Sequence, residues 1–146
     1  MKSAFLPFLL TAAVVGCGDL PRDSEGSLEQ IREQKSFRVG LIAGSEDREG
    51  RGRRLIEALG VEAGAEPRLR VGAAEHLLTQ LEEGELDLVV GTMARKSPWA
   101  IKVHASKPLS PAAEKAPVRL VAMARNGENA WISLLHRKVE QVRGRR

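Results

Sequence analysis

The chain has 146 residues, 42% of them hydrophobic and 29% charged, a length and balance that suit one globular domain with a single core. Its single cysteine leaves no internal disulfide partner, and an aromatic content of 3% offers few surfaces for stacking bases or sugars. The net charge of +4 collects in Arg51, Arg53 and Arg54 and in the C-terminal Arg137, Lys138, Arg143, Arg145 and Arg146. No aromatic is interleaved with these clusters, which points away from nucleic acid and toward a solvated face or anionic lipid head groups.

The N-terminus reads as an address. Lys2 supplies a positive start, and residues 4–15 are apolar apart from Pro7 and Thr11. A run of about a dozen apolar residues is too short to span a bilayer but suits the core of a signal peptide. Val14-Val15-Gly16-Cys17 closes the segment with small residues ahead of the cysteine, and it resembles the lipobox of bacterial lipoproteins. The resemblance implies cleavage of residues 1–16, a thioether-linked diacylglycerol on Cys17, and a location in the cell envelope, anchored on its periplasmic or extracytoplasmic face. Several acyl chains on one residue hold a protein on a membrane far better than a single chain. The other reading is an ordinary secretory signal with an incidental cysteine. Residues 18–26 are polar and turn-rich, so residues 17–26 read as a lipidated tether and residues 27–146 as the folded unit.

Within that unit, Ser27 is a candidate N-cap for a short helix with Leu28 and Ile31 on one face. Phe37-Arg38-Val39-Gly40-Leu41-Ile42 alternates as a strand and runs into the loop Ala43-Gly44-Ser45. Leu55, Ile56 and Leu59 share a helical face, with Gly60 at the position expected for a left-handed C-terminal cap. Leu69 and Val71 give a second short strand. Leu77, Leu78 and Leu81 form the stripe of a helix that stops at Gly84. Leu86-Asp87-Leu88-Val89-Val90 is nearly continuous apolar sequence, as in a strand covered on both faces. After an irregular stretch, residues 118–124 form another strand. The last helix places Trp131, Leu134, Leu135, Val139 and Val142 on one face, with Asn129 as a candidate N-cap. Strands alternating with helices predict an α/β fold: a three-layer lobe with a mostly parallel sheet. Val39, Leu41, Leu88, Val90, Leu120 and Ala122 should lie in central strands, covered by Leu55, Leu59, Leu78, Leu81, Trp131 and Leu135.

At Glu82-Glu83-Gly84-Glu85-Leu86-Asp87-Leu88-Val89-Val90-Gly91 the chain resembles the family 3 extracellular solute-binding proteins, the receptors of ABC importers. The opening helix and strand at Phe37-Arg38-Val39-Gly40, the helix end at Ala58-Leu59-Gly60, and Val121-Ala122-Met123-Ala124-Arg125-Asn126-Gly127-Glu128 fit the same pattern. So does Ala105-Ser106-Lys107-Pro108-Leu109, where the family has an aromatic, Ser or Thr, any residue, Pro and Tyr. The resemblance spans residues 28–142 and implies a type II periplasmic-binding-protein-like lobe. Three departures accompany it. The second lobe, inserted in the family after the Ser-x-Pro-Tyr element, is missing between Pro108 and Val118. Trp99 stands where the family has the arginine that clamps an amino-acid carboxylate. Leu109 replaces the tyrosine.

In an open parallel sheet, ligands dock beyond the carboxyl ends of the strands. The loop after the first strand offers Ser45, and the segment after the third offers Gly91, Thr92, Met93, Arg95 and Trp99. Gly44 and Gly91 would let backbone N–H groups approach a ligand, Ser45 and Thr92 carry hydroxyls, Arg95 could fork onto a carboxylate, and Trp99 could form an apolar wall. The same residues also suit plain turns, core packing and a solvent-facing arginine. His76, His104 and His136 are scattered, with no metal-ligand spacing, and no nucleophile elbow or phosphate loop appears. The expectation is a non-enzyme with no cofactor or metal. It would bind a small polar solute, an amino acid or organic acid, as a lipoprotein partnered by an ABC permease or another envelope protein. The competing expectation is a degenerate single lobe that serves as an envelope interaction module.

Overall fold

The computed structural model describes residues 23–144; Cys17 and the rest of the lipobox lie outside the described residues. The elements are α1 (Ser27–Gln34), β1 (Ser36–Ile42), α2 (Arg51–Ala63), β2 (Glu66–Gly72), α3 (Ala74–Glu82), β3 (Leu88–Ala94), β4 (Val103–Ala105), β5 (Val118–Arg125) and α4 (Asn129–Gly144). Short 3-10 turns at Pro98–Ile101 and Pro111–Ala113 flank β4.

The five strands form one sheet in the order β2-β1-β3-β5-β4. β1 pairs in parallel with β2 and with β3, whereas β5 is antiparallel to both β3 and β4. Four strands therefore run one way and β5 runs against them. Helical crossovers through α2 and α3 return the chain to the start of the next parallel strand. The strand β4 lies in the stretch read from sequence as irregular, where three residues are too few to show a period. No inserted lobe interrupts the connection from Pro108 to Val118, which the 3-10 turn Pro111–Ala113 spans.

Each face of the sheet is covered by its own apolar layer. Val39, Leu88 and Val90 of the sheet pack with Leu55 and Leu59 of α2 and with Trp131, Leu134 and Leu135 of α4. Val89, Val121 and Met123 pack beneath Leu77, Leu78 and Leu81 of α3. The expected strand and helix positions are so occupied, with Leu41, near the end of β1, and Leu120, near the start of β5, only half-buried. The edge strand β2 exposes Leu69 and Val71, which sit 57% and 70% accessible.

Several local expectations need correction. Helix α2 runs through Gly60 and ends at Gly64, whose φ of +65° supplies the left-handed cap. Gly60 is instead a packing position, where a Cβ would stand 2.8 Å from the Ala65 carbonyl. Gly91, Thr92, Met93 and Ala94 continue β3 rather than opening a loop, because β5 pairs with them as far as Ala94–Val118. Ser27 and Asn129 are the first residues of α1 and α4, one position inside the expected caps. Gly26 occupies the N-cap of α1, and a carboxylate from outside the helices does the capping.

That carboxylate is Asp23. Its Oδ2 accepts the Leu28 N–H at 2.7 Å, and its Oδ1 accepts those of Ala130 and Trp131 at 2.6 and 3.0 Å. The buried Glu128 reciprocates, accepting the N–H groups of Glu25 and Ser27 at 3.0 and 3.1 Å. Residues 23–26, read as the end of the tether, are thus fastened to the lobe. Because β5 runs against its neighbours, its end and the start of α4 lie at the amino edge of the parallel strands, so the tether meets the lobe opposite the carboxyl edge.

Candidate functional site

The carboxyl edge is formed where β1, β2 and β3 end. There the Ser45 hydroxyl accepts the backbone N–H of Thr92 at 2.8 Å, joining the segment after β1 to β3. These two predicted residues are brought together because β1 and β3 are neighbours in the sheet. The bond leaves the Thr92 side chain half-buried at the edge.

Two hollows flank this ridge, one on each face of the sheet. One, of about 540 Å³, is lined by Leu41, Ser45, Asp47, Ile56 and Leu69 on the α2 side. The other, of about 500 Å³, lies between α3 and the turn Pro98–Ile101, lined by Ile42, Leu78, Thr92, Met93, Ser97, Trp99, Glu75 and Lys102. The predicted residues divide between them: Ser45 lies in the first, and Thr92, Met93 and Trp99 in the second. Arg95 lines neither hollow; it is exposed at the tip, with only its backbone N–H tied down, to the Pro117 carbonyl at 2.8 Å.

Gly91 is not open to a ligand on its outer face. A Cβ there would stand 2.4 Å from the Ile42 Cβ, so this glycine exists to let Ile42 cross the sheet. Gly44, with φ +76° and open space where a Cβ would sit, is the glycine of the turn after β1.

Charge at the edge is laid out by the helix starts. Asp47 caps α2: its Oδ1 accepts the Arg51 N–H at 2.8 Å, and its Oδ2 those of Gly52 and Arg53 at 2.9 and 3.3 Å. A fixed anion therefore already occupies the positive end of that helix. In the second hollow, Glu75 sits in the first turn of α3, and the Lys102 ammonium lies 5.0 Å over the Trp99 ring and 3.4 Å from Glu82. The Ser97 hydroxyl accepts the Trp99 N–H at 3.3 Å and starts the turn that packs Trp99 against the α3-side apolar layer. This hollow combines an anion, a cation, hydroxyls and an apolar wall.

Sequence reading missed Glu75 and Lys102. Glu75 follows β2, and every loop after a parallel strand reaches this edge; that topology was the available signal. Lys102 had none, since its position depends on the 3-10 turn bringing it back along α3. Ser106 and Leu109 of the Ser-x-Pro element turn out to build the frame. The Ser106 hydroxyl accepts the Ala122 N–H at 3.1 Å, and Leu109 is fully buried. Among the described residues, no helix is long and apolar enough to cross a membrane.

No family model and no curated protein matches the chain. Solved structures do share its fold. The arginine-bound form of domain 1 from TmArgBP superposes with a TM-score of 0.64 at 15% identity, over 77% of this chain and 97% of that one. The ancestral cationic amino acid solute binding protein AncCDT-1 gives 0.62 at 14% identity, over 79% and 93%. Another structure of AncCDT-1, described there as a precursor of cyclohexadienyl dehydratase, gives 0.62 at 14%. The fold is that of a single α/β lobe of the solute-binding proteins, in keeping with the resemblance carried by Gly84-Glu85-Leu86-Asp87.

Proposed function

We propose that the chain is a lipid-anchored, extracytoplasmic solute-binding lipoprotein of an ABC-type transport system, holding an amino acid in the hollow beneath Trp99. The observation that carries this reading is that Glu75 and Lys102 line one apolar-walled hollow at the carboxyl edge. A zwitterion needs one partner of each sign, and an apolar wall takes its side chain. The lipobox at Cys17 supports the anchor and the envelope location. The arginine-bound domain 1 from TmArgBP supports one lobe as enough to hold an amino acid. The solute-binding neighbours favour binding over catalysis.

A thermal-shift screen with the common amino acids tests the proposal. A ligand at about a hundred times its dissociation constant adds about 2.7 kcal/mol, a shift of several degrees for a domain of this size. Tryptophan fluorescence then locates the ligand, because Trp131 is 1% exposed and Trp99 is half-buried beside the hollow. A melting temperature unmoved by every amino acid and small organic acid sinks the proposal.

One observation favours the second reading, an envelope interaction module without solute binding. At the ridge, the polar groups already satisfy one another: Ser45 holds Thr92, and Asp47 fills the start of α2. Under that reading, amino acids leave the edge untouched and a protein partner perturbs it.

A further inference from the structure

The fold unites two histidines that the sequence scatters. His104 on β4 and His136 on α4 face each other with their Nε2 atoms 2.7 Å apart and their ring centroids 4.8 Å apart. We infer that this pair is a binding site for a late divalent transition-metal ion, Cu²⁺ or Ni²⁺ ahead of Zn²⁺.

The geometry selects the metal. Imidazole nitrogens bind such ions at about 2.0–2.1 Å, so two of them at adjacent corners of a square or octahedron stand about 2.9 Å apart. Two corners of a tetrahedron stand about 3.4 Å apart. From 2.7 Å, the first arrangement requires the rings to part by a few tenths of an ångström and the second by more than half an ångström. Imidazole donors with square or tetragonal geometry are the province of Cu²⁺ and Ni²⁺, which also stand at the high end of the divalent affinity series.

The scaffold holds the donors firmly. His104 pairs with Ala124 across the β4–β5 ladder, and His136 follows the buried Leu135 on α4. One turn on, Glu140 takes the Lys107 ammonium at 3.1 Å, and Arg143 beyond it donates to the Pro108 carbonyl. This seam ties the helix to the segment after β4. His136 is exposed and His104 half-buried, so water can complete the coordination shell. Among the described residues, no third His, Cys, Asp or Glu joins the pair in a metal-holding group, so the protein supplies two ligands. The site lies on the α4 side of the sheet, independent of the hollow beneath Trp99.

In the metal-free pair one Nε2 donates a proton and the other accepts it. The ion takes both Nε2 lone pairs, so the donating ring moves its proton to Nδ1, and binding weakens as pH falls because protonating either imidazole removes a ligand. Cu²⁺ titration of the tag-free full chain in detergent micelles is the experiment, read by calorimetry and electron paramagnetic resonance. One equivalent should bind with a two-nitrogen hyperfine pattern. His104→Asn or His136→Asn should each weaken it at least tenfold, while His76→Asn, on exposed α3 surface, leaves it unchanged. In wild-type NMR spectra, substoichiometric Cu²⁺ should broaden the His104 and His136 ring signals together and before those of His76, a readout that does not depend on the variants folding. Binding that survives either substitution, His76 broadening first, or no stoichiometric binding at millimolar metal overturns the inference.

Discussion

Arg38 and Asp87 are joined by two parallel hydrogen bonds, from Nη2 to Oδ1 at 2.7 Å and from Nε to Oδ2 at 3.0 Å. The Asp87 carboxylate also accepts the Arg38 backbone N–H at 2.7 Å. One carboxylate so aligns the starts of β1 and β3, and its own backbone carbonyl takes the Trp131 indole N–H at 2.7 Å. The hydrogen bond to Asp87 raises the Arg38 pKa above its ordinary value, so the guanidinium keeps its charge. The Asp of the Gly-acidic-Leu-Asp motif is therefore a clamp of the sheet rather than a ligand contact. With the Arg38 side chain 44% exposed, screening limits the pair. Asp87→Asn should cost about 1–2 kcal/mol in urea unfolding, with an unchanged denaturant slope. A midpoint equal to wild type would show that the clamp contributes nothing.

Gly91→Ala should destabilise the lobe by about 1–3 kcal/mol, because the added methyl meets Ile42 within the sheet. Since the nearest atom is the Ile42 Cβ itself, an Ile42→Ala background should retain the penalty. Chemical denaturation of the single and double variants decides it, and full rescue by Ile42→Ala contradicts the packing role.

Asp23 caps α1 and α4 together, so Asp23→Ala should cost about 1–2 kcal/mol or more, beyond the loss of a single cap. Hydrogen exchange should quicken at Leu28, Ala130 and Trp131 while the centres of β1 and β3 stay protected. Unchanged exchange at those amides would mean that the segment is not fastened to the lobe.

Burial, and secondarily the charge of His136, lowers the His104 pKa below 6.5. The folded state then binds fewer protons than the unfolded chain as pH falls through that region. Stability is thus full above about pH 6.5, declines as pH drops toward the depressed folded value, and levels off below it. Thermal melts between about pH 7.5 and pH 5 should show wild type losing stability relative to His104→Asn. Parallel curves for the two proteins would contradict the assignment.

The fold was legible where burial imposed a period. Leu88-Val89-Val90 announced a strand covered on both faces, and the stripes of α2, α3 and α4 announced their layers. Topology then brought Ser45 to Thr92, since Ser45 follows β1 and Thr92 lies on β3, its parallel neighbour. What stayed hidden depends on contacts distant in sequence. Asp23 caps a helix more than a hundred residues away, a relation no local propensity carries. Gly91 looked like a ligand-facing glycine, but its reason is Ile42 on the adjacent strand. His104 and His136 meet only because β5 reverses direction and seats α4 over β4.

The central claim is that the hollow beneath Trp99 holds an amino acid. A ¹⁵N NMR titration of the assigned protein with amino acids tests it most directly. Saturable shifts should appear at the amides of Glu75, Thr92 and Met93 and at the Trp99 indole, and Glu75→Gln or Lys102→Met should weaken them at least tenfold, as loss of a charged partner worth about 1.5–3 kcal/mol requires. Shifts confined to the basic end of α4, or none with any amino acid at millimolar concentration, would contradict it.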